Sequence, residues 1–436
     1  QRAWDCFAVC GGEVMSVPVP KLRFKNFSQA LINGPFEQYI KSSKYGPRFD
    51  ANDYDLNGNV KTIRGTDVAL DATIKYEQVP IANLPQKLID EHQLQEGDIL
   101  MITTADCGLS AVFEKQEIPF IASAYAVRIV LKNSLDSLWV KYYLQTQHIV
   151  NEVNKYVRKG TLSNLPLSDI SKFSFTVPAL EEQTKIATFL SAVDEKISQL
   201  TQKHELLSQY KQGMMQKLFS QQLRFKADDG SEFGEWEEVK FSGIFNFHQT
   251  NSYSRALLAE YGEIMNIHYG DIHTKFSMLF DVNKESVPFL NDEVDTSKIA
   301  KEQFLKVGDL VIADASEDYK DIGKSIEVIS LNNQKVVAGL HTYIARPVKP
   351  FALGFCGYMM QTFPVREQIK KLATGISVLG ISKTNLGKVE LKVPSLEEQT
   401  KIANFLSAID QKIEVVVQQI EQAKTWKKGL LQQMFV

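Results

Sequence analysis

Two long segments of the chain carry apolar residues at alternating steps of four and three positions, starting at Ile186 and at Ile402. This spacing is the a/d heptad pattern of a coiled coil. In each segment it holds for about 33 residues, which is roughly 50 Å of α-helix. The pattern therefore predicts two long amphipathic helices. Their first four a/d positions are Ile186, Leu190, Val193 and Ile197 in the first segment and Ile402, Leu406, Ile409 and Ile413 in the second.

The two segments are copies of one sequence. Residues 177–197 and 393–413 align at an offset of 216 with 17 of 21 positions identical, and the match continues without a gap to Phe219 and Phe435. Both copies begin after a proline and place two glutamates in the first helical turn, where the helix dipole favours negative charge. The chain therefore contains two copies of one predicted helix.

The duplication bears on how the helices pack. Periodicity alone is equally typical of two amphipathic helices that lie on unrelated cores. Two near-identical a/d seams can instead pack on each other, and a lysine recurs at the same a/d position of each, Lys211 and Lys427. Polar residues at such positions fix register and orientation. Ser395 and Glu398 are also predicted to form an S-x-x-E capping box at the start of the second helix, where the first has Ala179.

The repeat extends into the segments between the helices. The echoed motifs are LRFK at 22–25 and 223–226, EGDILMI at 96–102 and VGDLVIA at 307–313, and glycine-containing loops at 158–164 and 373–380. Around them, short β-type runs alternate with helical pieces and turn residues, which predicts mixed α+β domains. The predicted boundaries are 1–25 for an N-terminal segment, 26–176 and 222–392 for two domains, and 177–221 and 393–436 for the two helices.

Composition and charge narrow the class of protein. The chain has 436 residues, enough for two or three domains, and a net charge of −3, so nucleic-acid binding would need local basic surfaces. No apolar run reaches the roughly 18 residues of a membrane span. The four cysteines include no Cys-x-x-Cys pair, which is typical of a cytosolic protein without disulfides or zinc. Residues 1–14 show no signal-peptide pattern, and we treat them as a candidate non-native stretch.

No catalytic or metal-binding motif stands out. The chain has neither an Asn/Asp-Pro-Pro-aromatic methyltransferase motif nor a glycine-rich cofactor loop. IGKS at 322–325 resembles the end of a phosphate loop, but Asp318 stands where that loop requires its first glycine. The histidines of HYGDIH at 268–273 lack further ligands at metal spacing, so an ordinary loop is favoured. We therefore expect no catalytic residue, no metal and no cofactor bound by this chain.

Taken together, the paired VP-L-EQ-KIA-FL---D-KI helices, the GDIL and GDLV motifs and the LRF segments resemble the specificity subunits of type I restriction–modification enzymes. The resemblance covers nearly the whole chain. It implies that the two mixed domains are target recognition domains, each recognising one half of a split, asymmetric DNA site. It also implies that the helices pack as an antiparallel coiled coil that sets the distance between the halves, in a pseudo-twofold tandem repeat.

The same resemblance implies the partners. The subunit would bind double-stranded DNA and join two adenine methyltransferase subunits, which would carry the S-adenosylmethionine, and two restriction/translocase subunits can be added. It would have no catalysis of its own and would be a cytoplasmic protein of a bacterium or archaeon. Each LEEQTKIA copy is expected to present the same face to one methyltransferase. Besides the a/d positions above, the residues predicted for this face are Glu181, Gln183, Glu397 and Gln399.

The start of the first domain departs from the pattern. The second domain opens with the Trp-centred GEWEEVKF at 234–241, whereas the first has only FSQALING after its LRF motif. We therefore expect the opening strand of the first domain to be altered, before about residue 33.

Candidate DNA contacts come from loops rich in the residue types that DNA recognition uses. Phosphates are bound by Lys, Arg, Ser, Thr and backbone amides, and bases by Arg, Asn, Gln, Asp and Glu on rigid loops. The alternative for each is an ordinary solvated loop. In the first domain the candidates are Lys41, Ser43, Lys44, Tyr45, Arg48, Lys61, Arg64, Thr66, Asp67, Thr103, Thr104, Asp106, Arg158, Lys159 and Thr161. In the second they are His248, Gln249, Asn251, Tyr253, Arg255, His268, Tyr269, Asp271, Ser316, Asp318, Tyr319, Lys320 and Thr374.

Two other functions compete with DNA recognition. One is a coiled-coil scaffold whose globular domains bind proteins rather than DNA. The other is an enzyme with an unrecognised nuclease or methyltransferase site. The missing catalytic motifs weigh against the enzyme, and the domain motifs, which match the family as well as the helices do, weigh against the scaffold.

Overall fold

The computed structural model describes residues 7–9 and 19–435, so the expectation about residues 1–14 lies almost entirely outside it. The chain divides into two compact units. Unit 1 comprises residues up to Thr201 together with those from Gln418 onward, and unit 2 comprises Gln202–Val417. Each unit therefore contains one mixed domain, the first part of one long helix and the last part of the other. Among the described residues, no helix is both long and apolar enough to cross a membrane.

Unit 1 is built on two larger sheets, the two-stranded pairs β1–β2 and β3–β11, and a set of short helices. Its strands are β1 (Phe7–Val9), β2 (Leu22–Phe24), β3 (Ile32–Pro35), β4 (Ile40–Tyr45), β5 (Val60–Ile63), β6 (Ile81–Ala82), β7 (Ile99–Ile102), β8 (Ser110–Val112), β9 (Phe120–Ala122), β10 (Ala126–Leu131) and β11 (Ser174–Val177). Its helices are α1 (Gln86–His92), α2 (Ser137–Tyr143), α3 (Gln147–Tyr156), α4 (Leu167–Ile170) and the first part of α5 (Leu180–Phe219). One sheet has the antiparallel order β4-β10-β7-β8, and the other has the order β6-β5-β9 with β5 and β9 parallel.

Unit 2 repeats this plan with more strands. Its strands are β12 (Glu237–Lys240), β13 (Phe245–His248), β14 (Leu258–Ala259), β15 (Ile264–Ile267), β16 (Leu279–Asp281), β17 (Phe289–Leu290), β18 (Leu310–Ala313), β19 (Ala315–Ser316), β20 (Ser325–Ser330), β21 (Lys335–Ala338), β22 (Thr342–Pro347), β23 (Leu379–Gly380) and β24 (Glu390–Val393). Its helices are α6 (Phe241–Ile244), α7 (Tyr269–Thr274), α8 (Phe355–Met360), α9 (Phe363–Leu372), α10 (Lys383–Leu386) and the first part of α11 (Leu396–Met434). The main sheet has the order β13-β22-β18-β20-β16, and a second sheet has the order β14-β17-β15-β21.

The central strand of each main sheet is the strand that follows the GD motif. Its residues, ILMI in β7 and LVIA in β18, are buried without exception, because each strand is covered on both faces. In unit 1, β7 pairs antiparallel with β10 and with β8. In unit 2, β18 pairs in the same way with β22 and with β20. The two domains therefore share a frame that their diverged sequences do not reveal.

A two-stranded antiparallel ribbon leads into each long helix. In unit 1, β3 pairs with β11, and Ile32 lies opposite Val177; in unit 2, β12 pairs with β24, and Glu237 lies opposite Val393. The opening strand of the first domain is thus present in the same pairing, and the expectation that it is altered was wrong. Ribbon pairing uses backbone amides and carbonyls, so the sequence INGP supports it where unit 2 has EEVK.

The two long helices bury the predicted seam. Every a/d position from Ile186 to Leu218 in α5 and from Ile402 to Met434 in α11 is buried or half-buried. In unit 1, Phe189 of α5 packs edge-on against Trp426 of α11, with ring centroids 5.9 Å apart. The first part of one helix therefore contacts the last part of the other within that unit.

The predicted capping box of α11 is only half formed. The Glu398 amide donates to Ser395 Oγ at 3.3 Å, as an N-cap serine requires. The Glu398 carboxylate, however, binds Arg224 Nε and Nη2 at 3.0 and 2.7 Å and Trp236 Nε1 at 3.1 Å. The Glu398 side chain is thus used in tertiary contacts and not in the capping box.

Candidate nucleic-acid interface

The aspartate of each GD motif is a structural residue. Asp98 accepts hydrogen bonds from Arg128 Nε at 2.6 Å and from the Gln95 amide at 2.7 Å. Asp309 binds Arg346 Nε and Nη2 at 2.8 and 2.7 Å. Both aspartates are almost fully buried. These aspartate–arginine pairs hold the start of the central strand in place. They therefore also determine the position of the loop that follows the strand.

Four loops of unit 1 are joined by backbone hydrogen bonds into one surface, here called loop cluster 1. It consists of residues 64–67, 103–106, 123–125 and 158–164. The joining bonds run from Ser123 N to Ile63 O, from Thr103 N to Tyr125 O, from Leu165 N to Thr103 O and from Ala105 N to Ser163 O, at 2.8–3.0 Å. Three of these loops, at 64–67, 103–106 and 158–164, carry residues predicted from the sequence, and all four meet at one end of the sheets.

Unit 2 builds the corresponding surface, loop cluster 2. It consists of residues 268–271, 314–320, 339–341 and 374–380. The joining bonds run from Gly339 N to Ile267 O, from Asp314 N to His341 O and from Ile381 N to Asp314 O, at 2.8–3.1 Å. The two clusters use the same strand ends and equivalent backbone bonds, yet their exposed side chains differ.

Each cluster holds an exposed arginine on a buried aspartate. Arg64, with 46% of its side chain exposed, lies 3.0 Å from Asp67, and Arg255, with 53% exposed, lies 2.9 Å from Asp271. Burial alone would raise the pKa of Asp67, but hydrogen bonds from Arg64 and Gln78 outweigh it and lower that pKa. A guanidinium held in this way directs its other N–H groups outward, where they suit a guanine edge or a phosphate.

Five of the predicted DNA contacts are buried instead of exposed. They are Asp67, Thr103, His268, Asp271 and Ser316. Their polar atoms hold the loops: Thr103 Oγ1 donates to Tyr125 O, and His268 Nδ1 accepts from the Gly270 amide at 3.1 Å. Burial, followed by the charge of Arg255, lowers the pKa of His268, so its ring serves as a neutral acceptor. In the structure these five side chains therefore help to hold the loops of the clusters in place.

The remaining candidates divide by position. Those within or adjoining the clusters are Arg64, Thr66, Thr104, Asp106, Arg158, Lys159, Thr161, Asn251, Arg255, Tyr269, Asp318, Tyr319, Lys320 and Thr374. Lys61 lies apart and donates to Tyr76 O at 3.1 Å, and Tyr253 packs in a small core beside β14 and β17. Gln249 and Arg48 are exposed after β13 and β4. Contact of any of these residues with DNA stays a prediction.

Four candidates expected among turn residues lie on a strand. Lys41, Ser43, Lys44 and Tyr45 belong to β4, which pairs with β10 and, within the described residues, forms an edge of its sheet. The Tyr45 hydroxyl accepts a hydrogen bond from the Leu167 amide at 2.9 Å, which ties the end of the strand to the segment after loop cluster 1. His248 ends β13, the corresponding edge strand of unit 2.

Sequence analysis missed one residue in each cluster. Tyr125 is 63% exposed, and His341 stands at the equivalent position with a positive φ of 56°. The carbonyl of each accepts the hydrogen bond that anchors the loop after the central strand. The His341 ring lies 5.4 Å from Tyr269. The one sequence feature that marks them is their position immediately before a strand. That position is difficult to recognise for a single residue.

A buried ion pair attaches each LRF motif to a long helix. Arg23 binds Glu182 through two bonds of 2.7 Å in unit 1, and Arg224 binds Glu398 in the same way in unit 2. The second glutamate of each LEEQ motif therefore joins the start of a domain to its helix.

The glutamine of each LEEQ motif also faces inward. Gln183 accepts from the Asp136 amide and donates to Pro178 O, and Gln399 accepts from the Ala352 amide and donates to Pro394 O, all at 2.9–3.1 Å. Both are buried, whereas Glu181 and Glu397 are exposed. Of the four polar residues predicted for the partner face, only the two exposed glutamates are thus accessible on this chain.

A tyrosine, an aspartate and a lysine form a repeated cluster where a domain meets both helices. In unit 1 the Tyr142 hydroxyl donates to Asp194 at 2.8 Å, and Lys427 pairs with Asp194 at 2.7 Å and lies over the Tyr142 ring. In unit 2 the same contacts join Tyr358, Asp410 and Lys211. The lysine comes from the opposite helix each time.

The histidines of the HYGDIH stretch have structural partners. His273 Nε2 lies 3.0 Å from Ala315 O, and His268 caps the start of α7. Within the described part of the chain, no group of three His, Cys, Asp or Glu side chains is placed to hold a metal ion.

Unit 2 contains one buried carboxyl group whose pKa is strongly displaced. Burial raises the pKa of Glu327 to about 7, although the Gly354 and Gly357 amides donate to it at 2.7 and 2.6 Å. The folded unit therefore favours the neutral form. Its contribution to stability is present below the ordinary pKa of about 4.5 and is lost as the pH rises through 7.

We expect the free energy of unfolding of unit 2 to fall by up to about 3 kcal/mol between pH 5 and pH 8.5 on account of this group. Glu327→Gln should remove most of that dependence, which denaturation midpoints at the two pH values would show. Val112 occupies the equivalent position in unit 1, so unit 1 serves as an internal control. An equal pH dependence in the variant would contradict the assignment.

Comparison with known proteins places the chain in a family. The model of the type I restriction modification DNA specificity domain matches residues 40–209 and 234–425. The MjaVIII specificity subunit of a type I restriction enzyme from Methanocaldococcus jannaschii is 26% identical over 352 residues, which is 78% of each chain. The type I restriction–modification S subunit from M. genitalium has a similar fold, with a TM-score of 0.56, 16% identity and coverage of 96% of this chain and 99% of that one. A chain from a structure on complex assembly and conformational transition of the type I R-M system gives a TM-score of 0.55 at 14% identity, covering 93% and 97%. The chain belongs to the DNA specificity family of type I restriction–modification systems.

Proposed function

We propose that this chain recognises a bipartite, asymmetric DNA site, with unit 1 bound to one half and unit 2 to the other. The observation that carries the proposal is the pair of loop clusters, built on the same strand ends by equivalent backbone bonds. Their side chains differ: the exposed Arg64 and Tyr125 of cluster 1 stand where cluster 2 has the buried His268 and the exposed His341. Because side-chain donors and acceptors distinguish base pairs, one frame with two sets of side chains suits two different half-sites.

We further propose that α5 and α11 form an antiparallel coiled coil whose length sets the gap between the half-sites, in a pseudo-twofold tandem repeat. The support is that each Tyr–Asp–Lys cluster takes its aspartate from the first part of one helix and its lysine from the last part of the other. Polar pairs on a seam specify register and orientation, because a shifted register would separate them.

The partners in this proposal are two adenine methyltransferase subunits, one for each LEEQTKIA copy, with S-adenosylmethionine bound by the methyltransferases. Two restriction/translocase subunits complete a nuclease. The exposed Glu181 and Glu397 are equivalent and lie at the start of each helix, so they offer two like contacts. The specificity chain itself supplies no catalytic group.

Reconstitution tests these assignments. Co-expression with an adenine methyltransferase of this family should give a complex whose native mass contains two methyltransferases per chain, and sequencing of modified bases in the host should show one split motif. The purified chain alone should not methylate DNA. A stable complex that leaves the genome unmodified would favour the protein-binding scaffold, and methylation by the chain alone would identify an enzyme.

A further inference from the structure

Each loop cluster carries an exposed apolar tip. The loop at 158–164 is closed by two backbone bonds between Arg158 and Asn164, and the loop at 374–380 by two between Thr374 and Gly380. Leu162, at the tip of the first loop, is 67% exposed; in the second, Ile376 is fully exposed and Val378 is 55% exposed. The two loops have the same length and the same closure although their sequences differ, so the apolar tip is a shared feature.

The loops are held rigidly at their bases. In unit 1 the Ala105 amide donates to Ser163 O, and in unit 2 Ser316 of β19 pairs with Leu379 of β23. Gly375 has a φ of 128°, and a Cβ there would lie 2.1 Å from Val378 O, so the tight turn requires glycine. A rigid base makes a projecting apolar side chain effective as a wedge, since little conformational entropy is lost when it inserts.

The charge near each tip comes from neighbouring side chains. In unit 1, Arg158 and Lys172 share the single carboxylate of Asp169, and Lys159 is exposed beside them. In unit 2, the position of Asp169 is taken by Asn385, whose side-chain oxygen accepts from Lys388 at 3.0 Å. Positive charge around an apolar tip, as in unit 1, is the combination found in proteins that insert Leu or Ile between DNA bases while binding the backbone, whereas loop cluster 2 also presents the exposed Glu317 and Asp318.

We propose that these tips are DNA wedges: Leu162 in one half-site, and Ile376 with Val378 in the other, each insert at one base step and partly unstack it. The proposal rests on the proposed function. It adds to it an apolar contact with the base stack, which involves no hydrogen bond. Unstacking favours flexible pyrimidine–purine steps, so each wedge also contributes specificity at the step it opens.

The test uses the complete complex with its methyltransferases and duplexes that contain its methylated motif, with 2-aminopurine placed at successive positions other than the adenines that the methyltransferases modify and would themselves extrude. The wild-type complex should raise 2-aminopurine fluorescence at one step in each half-site. Ile376→Ser combined with Val378→Ser should abolish the signal in one half only, and Leu162→Ser in the other. Each variant should weaken DNA binding by about tenfold, as expected for the loss of a buried aliphatic contact.

The controls are Ile118→Ser in unit 1 and Val348→Ser in unit 2, which remove exposed apolar side chains next to the ends of β9 and β22 that lie away from the clusters, and they should change neither readout. Fluorescence that stays constant across the motif in the wild-type complex would overturn the wedge, even if affinity fell in the variants. Loss of a methyltransferase from the variant complexes would also overturn the wedge, because it would show that the tips contact the partner protein. A wild-type complex that fails to bind its own methylated motif would instead overturn the proposed function.

Discussion

Replacing Glu398 by alanine is expected to destabilise unit 2 by roughly 3 kcal/mol. The Glu398 side chain is 1% exposed, and it neutralises Arg224 and accepts from the indole of Trp236. Removing it leaves two partly or fully buried donors without their acceptor. Such deletions are costly because the donors remain shielded from water and no longer have a hydrogen bond that offsets this loss of hydration. Urea denaturation followed by tryptophan emission would measure the loss, and Trp236 itself reports on the site.

The neighbouring Glu397 provides a matched control. It is the first of the same pair of glutamates but is exposed, so Glu397→Ala should cost less than about 1 kcal/mol, mainly through the helix dipole. Equal denaturation midpoints for the two variants would show that the ion pair does not hold the domain to its helix.

Lengthening the two long helices is expected to widen the gap in the methylated DNA motif by one or two base pairs. Four residues inserted after Leu200 add about 6 Å of helix, and DNA rises roughly 3.4 Å per base pair. A matching insertion after Val416 lengthens the second helix by the same amount. Asp194 and Lys427 stay on one side of the insertions and Lys211 and Asp410 on the other, so both Tyr–Asp–Lys clusters are preserved.

The insertion is a stutter and unwinds the seam locally, so we expect some loss of thermal stability as well. The recognised bases should not change, because neither loop cluster is altered. Four residues inserted after Glu117, in an exposed loop of unit 1, should leave the gap as it was. An active helix variant with an unchanged gap would mean that the helices do not measure the spacing, and altered half-site bases would mean that they take part in base recognition.

The sequence predicted the long helices well because their signal is long and repeated. The pattern of ten a/d positions in each copy leaves few alternatives, and every one of those positions is buried or half-buried. The strands after the GD motifs were also predictable, since short apolar runs flanked by turn residues indicate buried strands. The opening ribbon of unit 1 was not predictable, because its residues, INGP, have low strand propensity and owe their conformation to pairing with β11.

The sequence singled out several of the loops that the structure brings together, but it did not indicate which of their side chains are exposed. Asp67 and Asp271 stand in loop motifs rich in turn residues, where a carboxylate can point either way. The structure turns both inward onto arginines, through tertiary contacts that no local pattern encodes. Tyr125 and His341 escaped notice for the converse reason: each is a single residue whose importance comes from the loops that its carbonyl anchors.

The most direct test of two independent recognition units is an exchange of residues 222–392 for the matching domain of a relative with a different DNA motif. Both long helices and the whole domain of unit 1 are kept, so the methyltransferases should still assemble. Sequencing of the modified bases in a host that carries the chimera should show one half of the split motif changed, with the other half and the gap retained. A motif in which both halves change, or neither, would contradict the account.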